Sequence, residues 1–342
     1  MERNMNMIDM HCDTIYEILE AKKRGEIISL RDGRLMVNLN KMKQGGYGVQ
    51  NFALFVKQDE RSSAFETVKE LIATFQEEMR ANSDLISQVT TADEILENQR
   101  AGKLSAFLTI EGGEALEGSV DKLRYLYEQG VRMMTLTWNY PNEIGFPNFK
   151  QGLDFYTPNL EDGLTETGIN VVQEMEKLGM IIDVSHLSDA GFYDVLKYTK
   201  KPFVASHSNA RAVSPWVRNL SDDMIVKLAK RGGVIGINFC ADFLKGQRKS
   251  EIIETIGLMA SKDSSAGFYD ILCHTRHMAN IGGVECIGIG SDFDGIPGYE
   301  GMPTPDTMPQ LAEYLCKNGF HESEVDLIMH GNVMRLYREV LG

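Results

Sequence analysis

Short runs of Ile, Val, Leu and Met recur along the chain, mostly unbroken by polar residues. They fall at Met5–Met10, Val49–Val56, Leu104–Ile110, Val131–Leu136, Met180–Val184, Phe203–Ala205, Gly233–Asn238 and Cys286–Gly290. An unbroken apolar run of this length reads as a strand buried on both faces, the situation of a parallel sheet. Between these runs the pattern changes to the 3.6-residue period. Ala64–Arg80 carries Phe65, Val68, Leu71, Ile72 and Phe75 on one stripe. Thr165–Leu178 carries Ile169, Val172, Met175 and Leu178 and stops at Gly179, a C-cap residue. Asp189–Tyr198 follows Ser188, an N-cap residue, and Ser221–Arg231 opens Ser-Asp-Asp and stops at Gly232-Gly233. Eight strands alternating with helices predict an α/β fold, a (β/α)8 TIM barrel with C-terminal helices. The alternative is an open doubly wound sheet, but no GxGxxG follows the first strand. No repeat or linker divides residues 1–342, which read as a single domain. Trp138–Asp162 and Gly290–Pro309 lack periodicity and read as long loops after the fourth and eighth strands.

Composition narrows the class. The net charge is −14, and no Lys/Arg block forms a basic stripe, so a nucleic-acid partner is not expected. Five cysteines, Cys12, Cys240, Cys273, Cys286 and Cys316, are widely spaced with no CxxC pair, which fits a reducing compartment. The N-terminal segment lacks the apolar core of an export signal, and no run of 18 apolar residues occurs, so no membrane segment is expected. A cytoplasmic location is the resulting expectation.

Three of the seven histidines stand just after expected strands: His11, His186 and His207. In a barrel the C-terminal strand ends share one rim, so these imidazoles would meet in space. His11 and Asp13 form an HxD unit whose alternate residues face one side. Glu111 ends the third strand and precedes Gly112-Gly113, where the backbone can approach a ligand closely. Asp292 follows the eighth strand, where a carboxylate could take a proton from water. Three His, one Asp and one Glu form an N/O donor set suited to zinc, and less so to manganese or iron. Five ligands exceed the three plus water of one catalytic zinc, so two ions sharing Glu111 account for the set better.

Other residues carry weaker signals. His274 and His277 are spaced i, i+3 on a helix remote from any strand end and are expected to be structural. His321 and His330 read as solvated or structural. Asp9 and Asp183, inside strands near the rim, either orient metal ligands or bond backbone groups. Cys12 is a neighbour of the HxD residues and is expected to point away from them. No GxSxG elbow and no GxxxxGK[ST] loop is present.

The segments IDMHCDT, TIEGGEAL, LTW, IIDVSHLSD, ASHSNARAV, VRNLSDD, HTRHM, IGIGSDFDGI and GNVMRLYREV span nearly the whole chain in one order. Together they resemble the membrane dipeptidase (renal dipeptidase) family of zinc peptidases, within the amidohydrolase superfamily. The resemblance implies two zinc ions on the barrel rim, one held by His11 and Asp13 and the other by His186 and His207. Glu111 and a water or hydroxide would bridge them. It further implies that Asp292 serves proton transfer, substrate ammonium binding or both, and that Arg218 binds the terminal carboxylate of a dipeptide as a bidentate pair. Arg218 and Asp292 would then limit substrates to dipeptides, with a D-residue tolerated at the second position. Family members commonly pair, so the resemblance allows a homodimer.

One departure stands out. Some family members place a His after the fourth strand to steady the oxyanion, whereas here Thr137 is followed by Trp138 and Asn139. Trp offers one N–H donor and does not change charge near neutrality. The oxyanion would rely on zinc and a neighbouring donor such as Asn139. The rival readings are a related hydrolase acting on a lactam, lactone or N-acyl amino acid, and a barrel that binds metal without turnover.

Overall fold

Eight strands apolar on both faces cannot stand at a surface, and they close on one another. In the computed structural model, which describes residues 6–31, 33–57, 63–149, 155–245 and 267–342, the strands all run parallel. They are β1 (Met7–Asp9), β2 (Tyr47–Phe55), β3 (Ile86–Val89), β4 (Leu104–Glu111), β5 (Met133–Thr135), β6 (Ile181–Asp183), β7 (Val204–Ala205), β8 (Val234–Ile237) and β9 (Ile287–Ile289). Strand β1 pairs with both β2 and β9, and β2 pairs directly with β4, so eight strands close into a barrel. The ninth, β3, holds only the lower part of β4, from Leu104 to Phe107, and β5 takes over at Thr109. The eight barrel strands are those expected from the sequence, with ends shifted by a few residues. Met5, the expected start of the first, lies outside the described residues. β3 was not anticipated, because Ile-Ser-Gln-Val is only half buried and carries no long apolar run.

The strand pattern follows from packing on two sides. Ile8, Val49, Phe107, Met133, Ile181, Val204 and Val234 form one buried cluster with Val333, Leu336 and Tyr337 of the last helix, Asn332–Leu341. Their strand neighbours Met7, Leu108, Met134, Ile182, Ala205 and Ile235 belong to a second cluster shared with the surrounding helices. This alternation fills the barrel interior and coats its outside. Tyr337 stacks on Phe107 with ring centroids 4.6 Å apart, and its hydroxyl donates to Asn51 Oδ1 at 2.8 Å. The C-terminal helix therefore closes one end of the barrel, and the strand C-termini remain at the other.

The helix signals are realised at their caps. Thr165, Ser188 and Ser221 each accept a hydrogen bond from the backbone N–H three residues on, satisfying a donor that a helix N-terminus leaves open. Gly179 takes the left-handed conformation, φ 74°, as the C-cap of Glu166–Leu178. Among the described residues no helix is long and apolar enough to cross a membrane.

Candidate metal centre and its surroundings

Five strand C-termini deliver six polar side chains to the rim. His11 and Asp13 follow β1, Glu111 ends β4, His186 follows β6, His207 follows β7 and Asp292 follows β9. All six are buried or nearly so. Glu111 lies at the middle. Its Oε2 is 3.6 Å from His11 Nε2, while its Oε1 is 3.0 Å from His186 Nε2 and 3.5 Å from His207 Nε2. The two oxygens of one carboxylate thus face two different groups of ligand atoms. Asp13 Oδ2 and Asp292 Oδ1 stand 3.5 and 3.8 Å from His11 Nε2. Two sets have ligand atoms all within 4.8 Å of one another: His11, Glu111 and His207, and His11, Asp13 and Asp292.

Hydrogen bonding fixes which ring nitrogens are free. Ser206 Oγ donates its one hydrogen to Asp183 Oδ2 at 2.5 Å, and the same Oγ lies 2.7 Å from His207 Nδ1. Ser206 must therefore accept from Nδ1–H, which leaves a lone pair on Nε2. His186 Nδ1 lies 2.8 Å from Asn139 Oδ1, an acceptor, so its Nε2 is also left bare. The two bare Nε2 atoms are 3.0 Å apart and both face Glu111 Oε1. Burial, and then the nearby Arg218 charge, push His186 down to about 4. Burial, and then the charge of His11, hold His207 well below the ordinary imidazole value. Two neutral imidazoles and a carboxylate oxygen converge with no hydrogen among them, an arrangement that a bound cation would reconcile.

The other half of the cluster is short of partners. Both ring nitrogens of His11 and Oδ1 of Asp13 are buried without a hydrogen bond, a state that costs free energy unless an ion fills it. Burial, and then the Glu111 charge, push Asp13 up to about 7. Burial opposes protonation of His11, but Glu111 and Asp13 outweigh it and hold its pKa well above the usual imidazole range. The donor set of the two halves together, three imidazoles and three carboxylates, fits zinc. His186 and Asp292 also sit at φ 68° and 66°, a left-handed conformation uncommon outside glycine. Such strain survives where the surroundings over-determine it, as they do at functional sites.

Arg218 is 4% exposed. Its Nε has no hydrogen-bond partner, and its Nη2 makes one long bond, 3.4 Å, to the carbonyl of His207. The guanidinium lies 5.4 Å over the Phe243 ring. A buried cation with one weak partner awaits an anion. Its loop is held from beneath: Arg211 grips Asp189 through two 2.7 Å bonds, and Arg211 and Asn148 both donate to the carbonyl of Val217, the residue before Arg218. Asp292 accepts from Asn238 Nδ2 through Oδ2 at 3.0 Å, which leaves Oδ1 toward the cluster.

Trp138 forms a wall, its ring 5.0 Å from Phe55, 5.4 Å from Tyr140 and 6.2 Å from His186. Asn139 sets its side-chain oxygen on His186 Nδ1; the donor expected for an oxyanion is its amide N–H, which that contact does not use. Asp9 and Asp183 share one device: each accepts from the backbone N–H two residues on, and from the N–H and hydroxyl of a serine across the sheet, Ser291 and Ser206 respectively. The residues missed from sequence are these serines, Asn238, and the Asn148–Asp189–Arg211 set. Their signal was adjacency, since Ser206 and Ser291 directly precede His207 and Asp292.

The remaining candidates lie elsewhere. His274 accepts from Ala210 N–H and pairs with the Leu244 carbonyl, a structural role. His277 pairs with Asp222 at 2.8 Å. Cys12 faces the Asn51 carbonyl and Thr14 rather than the ligands.

Comparison with known proteins points the same way. A family profile described as membrane dipeptidase (peptidase family M19) matches residues 1–341. Dipeptidase 3 of Mus musculus is 31% identical over 342 residues, covering 99% of this chain, which spans 65% of that protein's length. An uncharacterized dipeptidase of Schizosaccharomyces pombe is 30% identical, covering 98% of this chain and 81% of its own. Among solved structures, a metallopeptidase of Rhodobacter sphaeroides, liganded with a phosphinate mimic of the dipeptide L-Ala-D-Ala, is 27% identical. It superposes with a TM-score of 0.84 over 98% of this chain and 99% of its own. A family M19 metallopeptidase, dipeptidase AC, gives 0.86 at 28% identity over 99% and 100%.

Proposed function

Because the chain belongs to the membrane dipeptidase family, peptidase family M19, we propose that it is a zinc-dependent dipeptidase with a two-ion centre. The observation that carries this reading is the Glu111 carboxylate, one oxygen toward His11 and the other toward His186 and His207. His11 and Asp13 would hold one ion and His186 and His207 the other, with Glu111 between the two sets. When bound, zinc would supply Lewis acidity toward the scissile carbonyl and would lower the pKa of a coordinated water to about 7.

The protein's own groups do the rest. Arg218 receives the terminal carboxylate of the substrate on its fork of N–H donors, which fixes the carbonyl in register with the ligand cluster. Asp292 is anchored through Oδ2, so Oδ1 is free to take a proton from the attacking water and return it to the leaving amine. Burial raises its pKa, which suits a group that must hold a proton briefly. Trp138, packed on Phe55 and 6.2 Å from the His186 ring, would give the substrate an apolar wall beside the cluster. The relative that binds an L-Ala-D-Ala mimic supports tolerance of a D-residue at the second position.

The test is release of free amino acids from L,L- and L,D-dipeptides, the matching tripeptides and N-acyl amino acids, with and without added zinc. Zinc-dependent cleavage of dipeptides alone is expected. Cleavage of N-acyl amino acids or lactams without dipeptides would replace the substrate assignment.

A further inference from the structure

The serines that precede His207 and Asp292 occupy matched positions with unequal reach. Ser206 and Ser291 each bond an in-strand aspartate, at 2.5 and 2.6 Å. Only Ser206 also contacts an imidazole: its Oγ lies 2.7 Å from His207 Nδ1. On the other side of the barrel, His11 Nδ1 has no hydrogen-bond partner, and Ser291 Oγ reaches only the His11 backbone carbonyl, at 3.3 Å. Asp183 is held in turn by Thr135 Oγ1 at 2.5 Å and by the N–H groups of Ser185 and Ser206. Its place is therefore over-determined. The backbone at Ser206 is equally confined. A Cβ at Gly236 or Gly290 would fall 1.9 or 1.7 Å from the Ser206 carbonyl oxygen, so only glycine fits at either position.

We propose that Ser206 is a positioning residue that relays the Asp183 carboxylate to His207, locking the tautomer whose Nε2 binds metal. Asp183 takes the only hydroxyl hydrogen, so toward Nδ1 the oxygen can only accept; its other neighbour, Ser185 Oγ at 3.3 Å, can only donate to it. The imidazole thereby gains the carboxylate's influence through one hydroxyl. The device serves one ion, because the His11 half has no counterpart. The inference rests on the metal-site reading above.

The test is a chelator-competition titration of zinc on the full chain, with thermal unfolding of the zinc-free proteins alongside. It compares wild type with Ser206→Ala, Ser206→Thr and Ser291→Ala. Ser206→Ala is expected to bind one of its ions roughly 10- to 100-fold more weakly, with the other at wild-type affinity. Ser206→Thr keeps an Oγ and is expected to recover most of the loss. Ser291→Ala removes the matching hydroxyl from an aspartate that touches no imidazole. It is expected to lower the unfolding temperature as Ser206→Ala does, with a clearly smaller loss of zinc affinity than Ser206→Ala. Wild-type affinity for both ions in Ser206→Ala overturns the relay, as does an equal loss in Ser206→Ala and Ser291→Ala. A wild-type chain that takes up no zinc overturns the relay and the metal site together. Zinc bound without dipeptide cleavage overturns the substrate assignment alone, and a selective loss in Ser206→Ala then still supports the relay.

Discussion

Replacing Arg218 by Met should separate catalysis from stability, with opposite signs. The guanidinium is 4% exposed, its Nε is unpartnered, and its one hydrogen bond is 3.4 Å long. Burial already lowers its hold on the proton. Two charge-assisted bonds to a substrate carboxylate are worth about 3–6 kcal/mol, or roughly 10²–10⁴ in kcat/KM. In the free protein the same charge is a burden, so an apolar chain of similar volume should leave stability unchanged or raise it by about 1–4 kcal/mol. The assay is kcat/KM for a dipeptide and for its C-terminal amide, in wild type and variant, with urea midpoints on the same preparations. The dipeptide should lose the full factor, and the amide no more than a few-fold. A variant that still prefers the carboxylate as strongly as wild type, or that unfolds at lower urea, would refute the reasoning.

Three further outcomes follow from the same geometry. Glu114 is buried against Tyr140 and Asn142, and burial pushes it up to about 7. The Tyr140 hydroxyl is 2.8 Å from both Glu114 Oε1 and the Val56 carbonyl, and a protonated Glu114 lets both contacts be hydrogen bonds. The folded state therefore binds this proton more tightly than the unfolded chain. Its stabilisation is complete below about pH 4.5 and is lost as pH rises through about 7. Glu114→Gln should match wild type near pH 5 and exceed it by up to about 3 kcal/mol at pH 8.5; equal urea midpoints at both pH values would contradict this. Asn139→Ala removes the acceptor for His186 Nδ1–H and should weaken zinc binding roughly tenfold or more, with kcat at saturating zinc little changed. Unchanged zinc affinity with a collapsed kcat would return Asn139 to the oxyanion. Asp189→Ala breaks the buried pair with Arg211 and should cost about 3–5 kcal/mol in urea unfolding, raising KM more than it lowers kcat; an unchanged midpoint would refute the bracing role.

The barrel was legible because its strands are buried on both faces. Continuous runs such as Leu104–Ile110 and Gly233–Asn238 have few other readings, and the caps Ser188 and Ser221 marked where helices begin. β3 escaped because Ser87 and Gln88 are only half buried and the strand has one partner, so its pairing depends on β4 rather than on its own pattern. The strand-end residues His11, Glu111, His186, His207 and Asp292 were legible because barrel topology alone sends them to one rim. What stood outside the sequence was the direction of each side chain. Asn139 follows a strand as a ligand would, yet its oxygen turns to His186. Asp9 and Asp183 look alike in sequence, and only the fold shows that the serine on Asp183 lies against an imidazole while the serine on Asp9 lies against the His11 backbone.

The central claim is a pair of zinc ions sharing Glu111. The direct measurement is anomalous scattering at the zinc edge from crystals of the zinc-loaded protein. Two peaks are predicted, one against His11 and Asp13 and one against His186 and His207, with a Glu111 oxygen beside each. A single peak, or peaks that leave Glu111 untouched, would contradict it.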